Sequence, residues 1–440
     1  MLPLILALFL LSESHLSSSV QSNTIELSRE RYAEQLYGFW LGQCIANWTG
    51  LITEMDKVGS FEEDRDGAGF YTRENWGGPD EPNIWGGSDL SETIDFYTVD
   101  PDGIWGADDD TDLEYMYQFL ADHHGDALLT PEQIRDGWLT HIYSDENTPF
   151  SWDGGKTPEN YLWVSNQAAH DLMREGKVPP ETSDPLLNPH TAMIDAQLTT
   201  EIFGLFAPGR PEVAIQLAHL PIRTTARDEA AWIAEFSVRM HSLVAGSDPD
   251  RPIRERLFSF AKEARSHLAE GSYPADMYDF VWSSYQAGYS WENTRDALHE
   301  RYQIGQAAGY TLGQTEEQCR GCFAAGINFA ASLVSLFYGE GDLKETIKIG
   351  VLAGWDSDNP TATWGGLIGF MLGKQGVEKA FGQTFSNRFN IHRTRGGFPD
   401  EGLDTFEQMS ETGLRVVDSV VVQHLKGATD AKMSSWIIPR

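Results

Sequence analysis

With 440 residues, 41% of them hydrophobic, the chain can bury a large core, so disorder is not the expectation. Its 66 acidic against 32 basic residues give a formal net charge of -34, which repels nucleic-acid phosphates and anionic lipid heads. The composition therefore argues against nucleic acid and membrane as partners, and no stretch after the N-terminus approaches the roughly 18–20 apolar residues of a membrane span.

Residues 1–11 are almost wholly apolar and give way to Ser12, Glu13, Ser14 and the run Ser17 to Ser19. That pattern predicts a signal peptide over residues 1–20, hence a secreted or extracytoplasmic protein whose folded part spans 24–440. Residues 29–50 read as a helix with Tyr32, Leu36, Phe39 and Trp40 on its apolar face. Within it Gly38, Gly42, Ala46 and Gly50 recur every four residues, a stripe that lets another backbone approach closely. An interior glycine costs a helix about 1 kcal/mol relative to alanine, so small residues in register need a packing reason. The sequon Asn47-Trp48-Thr49 falls in this helix and is expected to be unmodified.

Residues 54–107 are rich in Gly, Pro, Asp and Trp and predict a long irregular segment. Its Trp76, Trp85 and Trp105 suit either a site that stacks on sugar rings or plugs over the core. An acidic run, Asp108-Asp109-Asp110-Thr111-Asp112, then opens a helix carrying Leu113, Met116, Tyr117 and Leu120. Residues 148–190, with Trp152, Tyr161 and Trp163, read as a second loop system, and helical periodicity returns at Trp232, Phe236 and Met240 and again at Leu257 and Phe260. Cys319 and Cys322 form either a local disulfide or two buried thiols. Gly354 is placed to end one helix, and Asn359 with Pro360 to start the next, which carries Gly365, Gly369 and Gly373. Residues 405–440 read as a late helix or strand. The fold class is all-α, a single large helical domain with long aromatic-rich loops.

Adjacent carboxylates repel one another, and a helix N-terminus compensates them only in part. Two acidic turns, 108–112 and 356–358, each beside a helix with a small-residue stripe, would meet if those stripes pack together. Hard divalent ions prefer such oxygen ligands, so the pair predicts one or two Mg²⁺ ions.

These segments resemble the ADP-ribosylglycohydrolase family, also called the dinitrogenase-reductase-activating glycohydrolase family. Its first helix is similar to Gly38-Phe39-Trp40-Leu41-Gly42 continuing through Ala46 to Gly50 and Glu54. Its T-D-D-T turn is similar to Asp108-Asp109-Asp110-Thr111, and its G-G-D-T-D turn to Gly354-Trp355-Asp356-Ser357-Asp358-Asn359. The resemblance implies an all-helical fold and a binuclear Mg²⁺ site, with Mn²⁺ as the alternative metal. It places Asp109, Asp110, Asp356 and Asp358 as metal ligands, with Asp108 and Asn359 at positions commonly threonine, and Glu54 beside the metals. It further implies hydrolysis at the anomeric carbon of an ADP-ribosyl group.

Asn47 stands where the family has Asp and Trp355 where it has Gly, and with Trp105 these are expected to contact a small-molecule or glycosylated substrate. A secreted, acidic, Trp-rich relative extends the expected substrates to a neutral sugar. Glu54 and Asp109 are the candidate general bases. Two other readings stay open: a metal-independent glycoside hydrolase using a carboxylate pair that includes Asp153 or Asp195, and a non-catalytic binding or structural member.

Overall fold

Where the glycine stripes meet, two helix backbones touch without side chains between them. In this computed structural model a Cβ added at Gly42 would lie 2.4 Å from the Gly365 carbonyl oxygen, and one at Gly38 would lie 2.3 Å from that of Gly369. Gly50 abuts the Asp358 Cα at 2.2 Å on the same measure, so the stripe ends on the second acidic turn. The structure describes residues 24–59, 69–84, 90–151, 157–312, 321–430 and 432–440. The expected signal peptide over 1–20, together with Trp85, Trp152, Asp153 and Cys319, lies outside the described residues.

Strand β1 (Thr24–Ser28) leads into α1 (Arg29–Gly50), and an irregular stretch then runs to α2 (Asp109–His124). Helices α3 (Pro131–His141) and α4 (Val164–Arg174) follow, then the short α5 (Asp195–Leu198) and α6 (Ile202–Phe206). Next come α7 (Pro211–Ile222), α8 (Asp228–Ala245), α9 (Ile253–Arg265), α10 (Tyr273–Gln286) and α11 (Trp291–Leu298). The last helices are α12 (Ala325–Gly339), α13 (Leu343–Ala353), α14 (Asp358–Phe381) and α15 (Phe406–Gln423). Strands are short: β2 (Arg388–Asn390) pairs antiparallel with β3 (Leu403–Thr405), and β5 (Ser435–Pro439) lies between β1 and β4 (Ala428–Thr429). The fold is thus all-α in class, as the sequence predicts. Among the described residues no helix is long and apolar enough to cross a membrane.

Helices α1 and α14 form the central pair, flanked by α2, α12, α13 and α15. Helix α1 is buried almost all round at its C-terminal half, from Leu36 to Asn47, as expected of a helix enclosed by others rather than lying on a surface. Two expectations change, and one open alternative is resolved. Helix α14 begins at Asp358 with Ser357 as N-cap, so Asn359 and Pro360 sit inside its first turn. The 148–190 segment contains α4. Trp76 packs edge-on against Phe96 beneath the Lys348 ammonium, which makes it a plug over the core. Cys44 is a free, buried thiol and Cys322 is disulfide-bonded.

Beside the central pair lies a buried polar layer. Glu114 accepts from Gln43 Nε2 at 2.6 Å and from the Ile202 N–H at 2.6 Å, while Glu201 accepts from Thr363 Oγ1 at 2.5 Å. Burial pushes the Glu201 carboxyl up to about 8, and burial together with the Glu201 charge raises Glu114.

Two outcomes follow from this packing. Gly42→Ala should cost about 2–3 kcal/mol in urea unfolding, because both nearest atoms are backbone and cannot swing aside. Glu201 binds its proton more tightly folded than unfolded, so its contribution to stability falls as pH rises from the ordinary carboxylate range towards 8. Glu201→Gln should therefore gain stability relative to the parent between pH 5 and 8, by on the order of 2 kcal/mol, read from paired melts across that range. Parallel pH profiles would refute the assignment.

Candidate active site and metal centre

The first acidic turn is set by the start of α2. Asp108 is extended (φ -125) and caps the helix, its N–H donating to Thr111 Oγ1 at 3.1 Å. The turn is also tied to a distant strand, since the Trp105 N–H donates to the Arg388 carbonyl and the Asn390 N–H to the Trp105 carbonyl, both at 2.9 Å. That splice brings residues 390–393 alongside the acidic turn.

The second acidic turn begins at Gly354, whose φ of 88 ends α13 in a conformation that favours glycine. A side chain there would strike the Lys57 carbonyl at 2.3 Å. Trp355 N–H donates to that same carbonyl at 3.1 Å, and Met55 N–H donates to the Trp355 carbonyl at 2.7 Å. These bonds carry Glu54 against the turn. Ser357 Oγ donates to the Gly50 carbonyl at 3.0 Å, locking the turn to the end of α1.

Carboxylates from all three segments converge. Oxygens of Glu54, Asp356 and Asp358 lie within 4.8 Å of one another, and so do those of Asp108, Asp110 and Asp358. Asp358 belongs to both groups. Asn47 Nδ2 lies 3.4 Å from Asp108 Oδ2, 3.2 Å from Asp110 Oδ2 and 3.4 Å from Asp358 Oδ2, one amide facing three acids. Asp358 Oδ1 is buried with no hydrogen-bond partner. Burial is the first cause of a raised pKa throughout: Asp356 is pushed up to about 7, and Glu54, Asp109, Asp110 and Asp358 are raised well above the carboxylate range. Repulsion among the neighbouring carboxylates adds to the rise at Glu54, Asp109, Asp110 and Asp358. Buried acids so arranged must either take up protons or share a cation. The hard-oxygen donor set and the orphaned Asp358 oxygen suit a divalent ion of the Mg²⁺ or Mn²⁺ kind.

The cluster forms the floor of a cavity of about 700 Å³. Glu54, Asp108, Asp109, Asp110, Asp195, Asp356 and Asp358 all line it. Asp109 faces the cavity but belongs to neither three-carboxylate group. Trp105 is a fully buried wall residue whose Nε1–H donates to the Ser386 carbonyl at 3.0 Å.

Three expected roles are corrected. Asn47 is fully buried and does not line the cavity, so it organises carboxylates instead of touching substrate. Asn359 is likewise fully buried, and its Nδ2 donates to Asp110 Oδ1 at 3.1 Å, which makes it a support for a candidate ligand. Trp355, at a left-handed φ of 60, turns its indole into the core against Phe70 and donates to Gln303 at 2.8 Å. Sequence reading missed the cavity residues Ile104, Phe323, Ile391, His392 and Arg393. The last three arrive through the strand paired with Trp105, a contact that no local motif announces.

Removing the shared amide should be costly with no cation supplied. Asn47→Ala is expected to lose about 1–3 kcal/mol in chemical unfolding, since the buried Asp110 and Asp358 and the half-buried Asp108 lose their common donor. An unchanged midpoint would show that the amide does not hold the cluster.

The profile of the ADP-ribosylglycohydrolase family matches residues 28–404. A solved structure described as an ADP-ribosylglycohydrolase-related protein complex aligns over 88% of this chain and 98% of its own, at TM-score 0.47 and 16% identity. No curated protein matches.

Proposed function

Because the chain belongs to the ADP-ribosylglycohydrolase family, we propose that it is a glycohydrolase dependent on divalent metal, cleaving the bond between an anomeric sugar carbon and its leaving group. The observation that carries the metal is the pair of three-carboxylate groups joined at Asp358, one with Glu54 and Asp356 and the other with Asp108 and Asp110. Those five residues would hold Mg²⁺ or Mn²⁺, two ions if both groups fill. A bound cation supplies Lewis-acid polarisation of substrate oxygens and of the attacking water.

The chain's own residues divide the remaining work. Glu54, a candidate base by sequence, converges with Asp356 and Asp358 and is better used as a ligand. Asp109 lines the cavity outside both groups, and its carboxylate takes the proton from the attacking water. Burial raises its pKa well above the carboxylate range, the direction a base working near neutrality needs. Asn47 and Asn359 hold the carboxylates at their separations. The expected export of the chain through an N-terminal signal peptide is compatible with a small glycosidic substrate met outside the cytoplasm.

The test separates metal holding from proton transfer. Chelation should abolish turnover of a glycosidic substrate and Mg²⁺ or Mn²⁺ should restore it. Mn²⁺ at about a hundred times its Kd should stabilise the parent by about 2.7 kcal/mol in thermal unfolding. Asp358→Asn should lose both the stabilisation and the turnover. Asp109→Asn should keep the stabilisation and lose at least about a hundredfold in kcat. Full activity in excess chelator would overturn the metal dependence and favour a metal-free carboxylate pair, with Asp195 in the cavity as a member.

A further inference from the structure

Behind the acidic floor, side chains from two segments form one run of hydrogen bonds that ends on Asp110. Asn359 and Thr363 stand one turn apart on α14, and Gln197 meets both from the short α5. Gln197 Nε2 donates to Thr363 Oγ1 at 3.0 Å and lies 3.4 Å from Asn359 Oδ1, while Asn359 Nδ2 donates to Asp110 Oδ1 at 3.1 Å. All four residues are buried.

An amide has a donor end and an acceptor end of nearly equal shape, so its neighbours must set its sense. Here Thr363 sets it. Its hydroxyl has a single hydrogen, for which two oxygens compete: Glu201 Oε1 at 2.5 Å and the Asn359 carbonyl at 3.1 Å. The hydroxyl therefore accepts from Gln197, and Gln197 turns its NH2 end towards α14. A protonated Glu201 leaves the same sense, because it donates to the hydroxyl and the hydroxyl hydrogen passes to the Asn359 carbonyl. The second hydrogen of that NH2 meets Asn359 Oδ1, which turns Asn359 Nδ2 to Asp110. Gln197 Oε1 is left buried with no hydrogen-bond partner, so the amide is not oriented by its own satisfaction.

A second amide repeats the arrangement. Gln43 Nε2 donates to Glu114 Oε2 at 2.6 Å and lies 3.3 Å from the Asp110 carbonyl, and its Oε1 is again buried without a partner. With Asn47 Nδ2 at 3.2 Å from Asp110 Oδ2, an amide N–H reaches each carboxyl oxygen of Asp110. Donors so placed favour the ionised carboxylate that a cation requires, and a carbonyl oxygen turned the same way would repel it.

Resting on the metal reading above, we propose that Gln197, oriented by Thr363, is a positioning residue of the metal centre: it fixes the sense of the Asn359 amide, so that a donor and not a carbonyl oxygen faces Asp110. Gln197 does not line the cavity, and it acts only through Asn359.

Calorimetric titration of the full chain with Mn²⁺ tests this without any substrate. Gln197→Met keeps the length of the side chain and removes the donor, and it should weaken Mn²⁺ binding about tenfold or more. Thr363→Val should do the same, whereas Thr363→Ser, which keeps the hydroxyl, should stay within about threefold of the parent. Asn359→Ala and the double variant Gln197→Met/Asn359→Ala should match within about twofold, because Gln197 then has nothing to orient. A role in packing alone would lower the melting temperature in chelator without that coupling. Parental Mn²⁺ affinity in Gln197→Met, or independent losses in the double variant, would overturn the inference and leave the metal reading standing. Should Gln197→Met not fold, the Thr363 pair decides, and equal affinities of its two variants would overturn the inference. A parent that binds no Mn²⁺ would remove the metal reading and this inference with it.

Discussion

Everything in the site depends on how closely two helix backbones approach. Carboxylates at the end of one chain segment can meet those of another only if little more than glycine hydrogens and the Ala46 methyl separates α1 from α14, and the small-residue stripe supplies that. The close approach is unfavourable for the acids it assembles, because it removes them from water and sets like charges beside one another. Stability is drawn from apolar burial around the pair, where Trp40, Trp364, Phe370 and Tyr32 are essentially inaccessible. The centre is therefore a strained electrostatic arrangement held by a well-packed frame, an arrangement expected where function outweighs local stability.

Much of this was legible in the sequence because it repeats or clusters there. The four-residue glycine period has no cheap explanation except a close helix contact, and α1 runs over the predicted residues 29–50. The two acidic turns announced a common site by their chemistry, and the convergence on Asp358 gives that expectation a geometry. The walls were legible only in kind. Tyr161 and Trp163 read as aromatic residues in a loop, but nothing local in the sequence tells that residues 391–393 return to the same cavity. That return depends on the pairing of Trp105 with β2, a contact between segments 281 residues apart along the Trp105 to Ser386 bond that accompanies it.

Side-chain direction was the least legible property. Asn359 follows Asp358 on the first turn of α14, and successive residues on a helix point roughly 100° apart, so one faces the cavity while the next faces the core. Asn47 lies on the buried side of α1, where an amide can donate to acids that a carboxylate would repel. Trp355 sits beside two candidate ligands in sequence, yet its left-handed backbone sends the indole away towards Gln303. Neighbourhood along the chain gave the right turn and the wrong orientation in each case.

The peptide of Trp105 is hydrogen-bonded on both sides to Arg388 and Asn390, three residues ahead of the Asp108 cap. The β2–β3 hairpin and the mouth of α2 consequently behave as one mechanical piece. An insertion or deletion between α14 and β2 would slide the rim across the floor and alter which portion of a ligand sits above the acids, with no ligand-contacting residue replaced. Reach, rather than chemistry, is what the length of that connection sets.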